Sequence, residues 1–228
     1  MILKKIVNVL KRPSILFLKV FSYFPKGRLY NAKYFIHRNY LTDTGWALSV
    51  KSEMPVDKDG KELPWLSYSF IDFLAPRLNK NLNLLEYGSG NSTIWFSEKI
   101  NKVVSLEHHN DWFKLVSDKL KAYTNVNIIF KDLESGDYEN EILNYKDEFD
   151  MVLIDGRKRV NCAKNSLNAL KPGGVVIWDD SQREDYNEGY QFLLDSGFKR
   201  LDFSGLRPMN SVTSKTSVFY RPENCLGL

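Results

Sequence analysis

Asn83-Leu84-Leu85-Glu86-Tyr87-Gly88-Ser89-Gly90-Asn91-Ser92-Thr93 decides the fold. Its first five residues read as a short apolar strand that carries an acid near its end. Gly88 and Gly90 then let the backbone turn sharply and approach a ligand closely. Ser92 to Ile100 follows with a helical pattern. Strand, glycine turn and helix in immediate succession open a parallel βα unit.

Outward from this stretch the alternation repeats. Val103-Val104-Ser105-Leu106-Glu107 reads as a second strand and Asp111 to Tyr123 as a helix, with Asn110 or Asp111 as its N-cap. Val126 to Phe130 is a third strand. Met151-Val152-Leu153-Ile154 is an apolar run closed by Asp155. Val160 to Leu170 is helical until Lys171-Pro172-Gly173-Gly174. Val175-Val176-Ile177-Trp178 is a further run closed by Asp179-Asp180. Tyr186 to Ser196 is helical with Gly197 as its stop, and Phe198 to Phe203 and Ser217 to Tyr220 are the last strands. Upstream, Leu63-Pro64-Trp65 opens a helix bearing Tyr68, Phe70-Ile71 and Phe73-Leu74. The pattern predicts an α/β protein with a Rossmann-like, doubly wound sheet covered on both faces.

Such sheets bind ligands beyond the carboxyl ends of their strands. Here every candidate parallel strand leads to an acid: Glu86, Glu107, Asp132, Asp155 and Asp179-Asp180. Carboxylates at the ends of apolar strands are costly unless they meet solvent, a cation or hydroxyl donors. Glu107 stands where a carboxylate, which only accepts hydrogen bonds, takes both hydroxyls of a ribose. A dinucleotide fingerprint wants a third glycine where Thr93 stands, which argues against a nicotinamide-linked oxidoreductase, and no phosphate-loop pattern is present.

The 228 residues carry 32 Lys or Arg and 28 Asp or Glu, with a net charge of +4 and 43% hydrophobic residues. That balance excludes global disorder and a fibrous repeat. Two cysteines, Cys162 and Cys225, are too few for a disulfide scaffold and read as reduced thiols of a cytoplasmic protein. The charge is unevenly spread. Residues 1–42 hold nine Lys or Arg and no acid, which leaves 23 basic and 28 acidic residues for the rest. The division predicts a basic N-terminal helical arm with an irregular cap over residues 1–62 and a main domain over residues 63–228. Residues 1–24 alternate apolar clusters with lysines. They suit a helical cap, or a peripheral contact with anionic lipid at the inner membrane surface. No nucleic-acid-binding pattern is found. Oligomeric state is not legible.

Taken together, Leu85 to Thr93, Ser105-Leu106-Glu107-His108, Asp150 to Gly156 and Leu170 to Gly174 resemble, in order and spacing, the motifs of class I S-adenosylmethionine-dependent methyltransferases. The resemblance spans roughly residues 63–222. It implies a seven-stranded sheet with a C-terminal antiparallel hairpin and S-adenosylmethionine as cofactor. It implies that Gly88, Gly90 and Ser92 form the loop at the methionine part, that Glu86 meets the amino end and that Glu107 holds the ribose. His108 would pack beside the adenine, with Asp132 and Leu133 also there. Asp155 would face the amino acid end or the reaction centre.

A closer similarity to the catechol O-methyltransferase-like branch implies that Asp155, Asp179 and Asp180 bind Mg²⁺ or another divalent cation, with Lys158 as a base. The basic run Gly156-Arg157-Lys158-Arg159 departs from that branch. It leaves open a metal-free acid–base site, an anion grip, or ion pairs with the same acids. The expected activity is methyl transfer to an oxygen or nitrogen of a small molecule or glycan precursor, with Asp155, Lys158 and Asp179 as catalytic candidates. The alternative is a non-catalytic nucleoside- or cofactor-binding protein recruited to a membrane or complex by its basic arm. An aminopropyl transferase shares the implied fold but usually has a more glycine-rich first loop.

Overall fold

The structure is a computed structural model, and it describes residues 39–228. The expectations for residues 1–24, including membrane contact, lie outside the described residues. Gly45–Leu228 form one compact unit. Before it, α1 (Tyr40–Asp43) is a single turn closed by a capping box between Asn39 and Thr42.

Within the compact unit the elements run α2 (Trp46–Ser52), α3 (Tyr68–Leu74), β1 (Asn83–Tyr87), α4 (Asn91–Lys99), β2 (Lys102–Glu107) and α5 (Asn110–Leu120). They continue with β3 (Val126–Phe130), α6 (Asp137–Asn140), β4 (Phe149–Ile154), α7 (Arg159–Ser166), β5 (Leu170–Trp178), α8 (Asn187–Asp195), β6 (Lys199–Gly205) and β7 (Ser214–Tyr220). The seven strands are ordered β3-β2-β1-β4-β5-β7-β6. β1 to β5 pair in parallel, and β7 runs antiparallel to both β5 and the edge strand β6. This is the expected doubly wound sheet with its C-terminal hairpin.

The period of two along each strand sorts side chains to two cores. Leu85, Tyr87, Val104, Leu106, Val152, Ile154, Val176 and Trp178 face α7 and α8, where Cys162, Ala163, Tyr190 and Leu193 are buried. Leu84, Val103, Met151, Leu153, Val175 and Ile177 face α3 and α4, where Phe70, Leu74, Trp95 and Phe96 close the layer. Strands buried on both faces read as continuous apolar runs, and for that reason β4 and β5 stood out in the sequence. Among the described residues, no helix is long and apolar enough to cross a membrane.

Three local expectations shift. The helix expected to open at Leu63 begins at Tyr68, after Ser67, and Pro64 and the buried Leu66 lie in an irregular lead-in that bends at residues 65–66. Residues 46–52 of the expected irregular cap are helical and stop at Glu53, which adopts a left-handed φ of 56°. Lys171 to Gly174 do not form a loop after α7. They belong to β5, whose pairing with β4 slips between Phe149 and Met151.

Candidate active site

Beyond the carboxyl ends of the parallel strands lies a cavity of about 640 Å³, within the range of small-molecule sites. Its floor is the turn between β1 and α4. Gly88 has φ 96°, and a Cβ there would press on the Asp155 carbonyl at 3.3 Å, so the turn takes glycine on two counts. The loop is pinned from several sides. The Gly90 amide donates to Thr93 Oγ1 (3.0 Å), and the Thr93 hydroxyl donates in turn to buried Glu86. Ser92 Oγ donates to the other Glu86 oxygen at 2.8 Å. Trp112, on the first turn of α5, donates its indole N–H to the Ser89 carbonyl at 2.8 Å.

Glu107, at the end of β2, lines the cavity and is saturated with donors. Its Oε1 accepts from the His108 and His109 amides, both at 2.8 Å, and its Oε2 accepts from the Ser89 amide (3.1 Å) and hydroxyl (2.8 Å). Four donors compensate the burial of a carboxylate only 3% exposed. His108 lines the same wall. Burial lowers the pKa of its imidazole, Glu107 opposes this and Arg157 adds to it, so the ring favours its neutral form.

The same cavity is lined by Asp155, Asp179 and Asp180 with Arg157, Arg159, Arg207 and Trp65. Asp155 Oδ1 accepts from Arg159 Nη2 at 3.0 Å. Asp179 Oδ1 accepts from Thr216 Oγ1 (2.7 Å) and its Oδ2 from Arg207 Nη1 (3.2 Å). Asp180 Oδ1 accepts from Arg207 Nη1 (2.9 Å) and Gln182 Nε2 (3.3 Å), and its Oδ2 from Arg183 Nη2 (2.6 Å). Five of these six carboxylate oxygens therefore already hold a donor. Burial pushes the carboxyls of Asp155 and Asp179 above the ordinary range. Arg159 opposes the shift at Asp155, and the neighbouring acids reinforce it at both. The side chains of Asp155, Asp179 and Asp180 are 27%, 1% and 7% exposed, so Asp155 is the one a ligand reaches most readily.

The set Asp155, Asp179 and Asp180 does not fit a divalent ion here. Mg²⁺ and Ca²⁺ need free oxygen ligands at about 2.0–2.6 Å, and guanidinium groups hold these. Among the described residues no group of three or more His, Cys, Asp or Glu is placed to hold a metal. Arg159, Arg183 and Arg207, with the Thr216 hydroxyl, are the reason.

The cavity wall brings together Gly88, Gly90, Ser92, Glu107, His108, Asp155, Asp179 and Asp180. Four other candidates lie off it. Glu86 is turned beneath α4 toward Ser92 and Thr93. Asp132 is exposed and caps the Glu134 amide (3.2 Å), and Leu133 packs at the edge of the core. Lys158 sits in a left-handed conformation, and its ammonium is tied to the Leu133 carbonyl and, at 3.1 Å, to Glu139. Trp112 and Arg207 also line the wall; in the sequence Trp112 reads as one of several helix-spaced aromatics that more often belong to a core, and Arg207 carries no mark. Trp112 offers only its place five residues after Glu107, and Arg207 sits in a loop with no local pattern.

Residues 85–181 match the family described as Methyltransferase domain. No curated protein matches the sequence. Among solved structures, the chain is similar to the precorrin-6y C5,15-methyltransferase of Geobacter metallireducens GS-15, at 17% identity over 75% of this chain and 97% of that one, with a TM-score of 0.54. An S-adenosylmethionine-dependent O-methyltransferase from Thermotoga maritima is 18% identical over 67% of this chain and 64% of that one, with a TM-score of 0.53. The spermidine synthase of Thermotoga maritima is 16% identical over 70% and 58%, with a TM-score of 0.51. At such identities the likeness is one of fold, which the last of these shares with a different reaction. The family match is what separates the two reactions: over residues 85–181, on this sheet order and this glycine turn, the chain carries a methyltransferase domain, and its activity is S-adenosylmethionine-dependent methyl transfer.

Proposed function

We propose that this methyltransferase methylates an oxygen or nitrogen of a small molecule or glycan precursor, with the cofactor on the Gly88–Gly90 turn and the acceptor beside Asp155. The observation that carries the reading is a single cavity lined by the turn and Glu107 together with Asp155, Asp179 and Trp65. The residues suit the cofactor. Gly88 leaves room where a side chain would stand, and Glu107 can take a ribose hydroxyl in place of the Ser89 hydroxyl, which is free to rotate away. Five carboxyl groups face three guanidinium groups around the wall, an excess of negative charge toward a sulfonium and an ammonium.

When bound, S-adenosylmethionine supplies an electrophilic methyl on its sulfonium. The chain contributes position, dryness and a proton acceptor. Asp155 takes the acceptor's proton, a role suited to a carboxyl whose pKa burial raises toward the working range. Asp179, held by Thr216 and Arg207, stands beside it. Trp65, 43% exposed on the wall, offers an apolar face to the acceptor. Met54 and Met209 add apolar surface to the wall. For residues 1–24, contact with anionic lipid remains part of this proposal on their sequence alone.

Calorimetric titration with S-adenosylhomocysteine tests the reading, with NAD as the control. Saturable binding of the homocysteine product but not of NAD is expected. Transfer of labelled methyl to sugar and amine acceptors should then be lost in Asp155→Asn while binding of the product persists. Failure to bind either S-adenosylmethionine or its product overturns the proposal.

A further inference from the structure

We infer that Arg159 and Arg207 are the built-in cations of the acceptor end, standing where metal-dependent relatives would hold a divalent ion, and that they position Asp155 and Asp179. Arg159 is 8% exposed and its donors are spent on the strand ends. Nε donates to the Gly156 carbonyl (3.0 Å), Nη1 to the Asp179 carbonyl, and Nη2 to both the carbonyl (3.1 Å) and Oδ1 (3.0 Å) of Asp155. One guanidinium thus ties the end of β4 to the end of β5. Its face lies 5.5 Å from the centre of the Tyr186 ring.

Arg207 grips the end of β5 from the β6–β7 loop. Nη1 bridges Asp179 (3.2 Å) and Asp180 (2.9 Å). With the Asn210 amide turned to satisfy both partners, its oxygen accepts from Nε and Nη2 of Arg207, each at 3.0 Å. The Asn210 carbonyl accepts from the Trp46 indole at 2.8 Å, so the loop is fixed on both sides. The Arg207 guanidinium also lies 5.5 Å from the Trp65 ring centre.

A planar fork of fixed donors matches carboxylates and strand-end carbonyls in a way a lysine would not. Two such forks, each within hydrogen-bond reach of two strand-end residues, satisfy carboxylates that otherwise need a metal or water. Among the described residues, Asp155 Oδ2 is the one carboxylate oxygen of the three acids with no protein donor, which leaves it to face the acceptor. Arg159 and Arg207 are therefore positioning residues. They fix the base without competing for substrate, since their own donors are engaged.

The inference rests on the proposed function only in naming this end the acceptor end, and its test is separate. Mn²⁺ is titrated into the full chain and free Mn²⁺ is followed by electron spin resonance. The wild type should leave Mn²⁺ free at protein concentrations where the double variant Arg159→Gln/Arg207→Gln takes up one equivalent. The gain should be roughly tenfold or more in affinity, because it frees carboxylate oxygens and removes two positive charges. Adding Asp179→Asn to the double variant should reverse it. Arg207→Gln alone, on a loop, should show a smaller gain and stands in if the double variant does not fold. Wild-type uptake of one equivalent that Asp179→Asn abolishes would overturn the inference, and so would a folded double variant without any gain. Binding of S-adenosylhomocysteine by the wild type is scored independently, so failure of the cofactor reading and failure of this one are told apart.

Discussion

Replacing Glu107 by glutamine tests the strand-end carboxylate directly. The carboxylate accepts four hydrogen bonds, two from the His108 and His109 amides and two from Ser89. A glutamine must turn its NH₂ toward one pair. Facing His108 and His109 it meets two backbone donors that cannot rotate. Facing Ser89 it meets a hydroxyl that can turn and accept, and only the Ser89 amide is orphaned. The cheaper orientation therefore strands one buried N–H, at about 1–3 kcal/mol, and weakens two charge-assisted bonds by about 1 kcal/mol each. A loss of about 3–5 kcal/mol corresponds to a fall in Tm of about 6–20 °C for a domain of this size. If Glu107 also holds the ribose, losing charge-assisted bonds there should weaken binding of S-adenosylhomocysteine by about a hundredfold. Thermal melts and calorimetric titration read the two effects separately. Glu107→Ala removes all four acceptor contacts and should melt at least as low. A Glu107→Gln protein that melts within about 2 °C of wild type, by the same scale, and binds the product unchanged would refute both parts of the reasoning.

Two further outcomes follow from the buried groups. Burial raises the Glu86 carboxyl from 4.5 to about 7, with the Thr93 and Ser92 hydroxyls opposing the shift. The folded state thus binds this proton more tightly than the unfolded chain. The stability it lends is full below about pH 4.5 and is lost as pH rises through about 7, a change of about 3 kcal/mol. Between pH 5 and 8 the wild-type Tm should fall more steeply than that of Glu86→Gln, and parallel curves would contradict the assignment. At Gly156, an added Cβ would lie 1.9 Å from the Tyr138 hydroxyl and 3.1 Å from the Tyr87 carbonyl. Tyr138 is fully buried against Tyr87 and His108 and cannot swing aside. Gly156→Ala should therefore cost about 1–3 kcal/mol in urea unfolding, and Tyr138→Phe should recover part of it. A cost under about 0.5 kcal/mol, the ordinary scatter of surface changes, would contradict the packing argument.

The sequence by itself determined the sheet. Strands buried on both faces must be continuously apolar, and runs such as Met151 to Ile154 and Val175 to Trp178 leave no other period to read. The glycine turn and the acids at the strand ends were legible for a related reason. A backbone at left-handed φ takes glycine, and a carboxylate closing an apolar run stands out as a group needing a partner. What that partner is, only the tertiary structure decided. Arg207 reaches Asp179 across 28 residues and Thr216 reaches it across 37, and no local pattern encodes such pairings. The same holds for Lys158, which sits at the expected spacing after Asp155 but whose left-handed backbone turns its ammonium toward Glu139. Spacing along the chain fixed which strand end each residue occupies. Whether a charge at that end meets a metal, a guanidinium or a ligand depended on loops folding back from distant positions, where short-range periodicity carries no information.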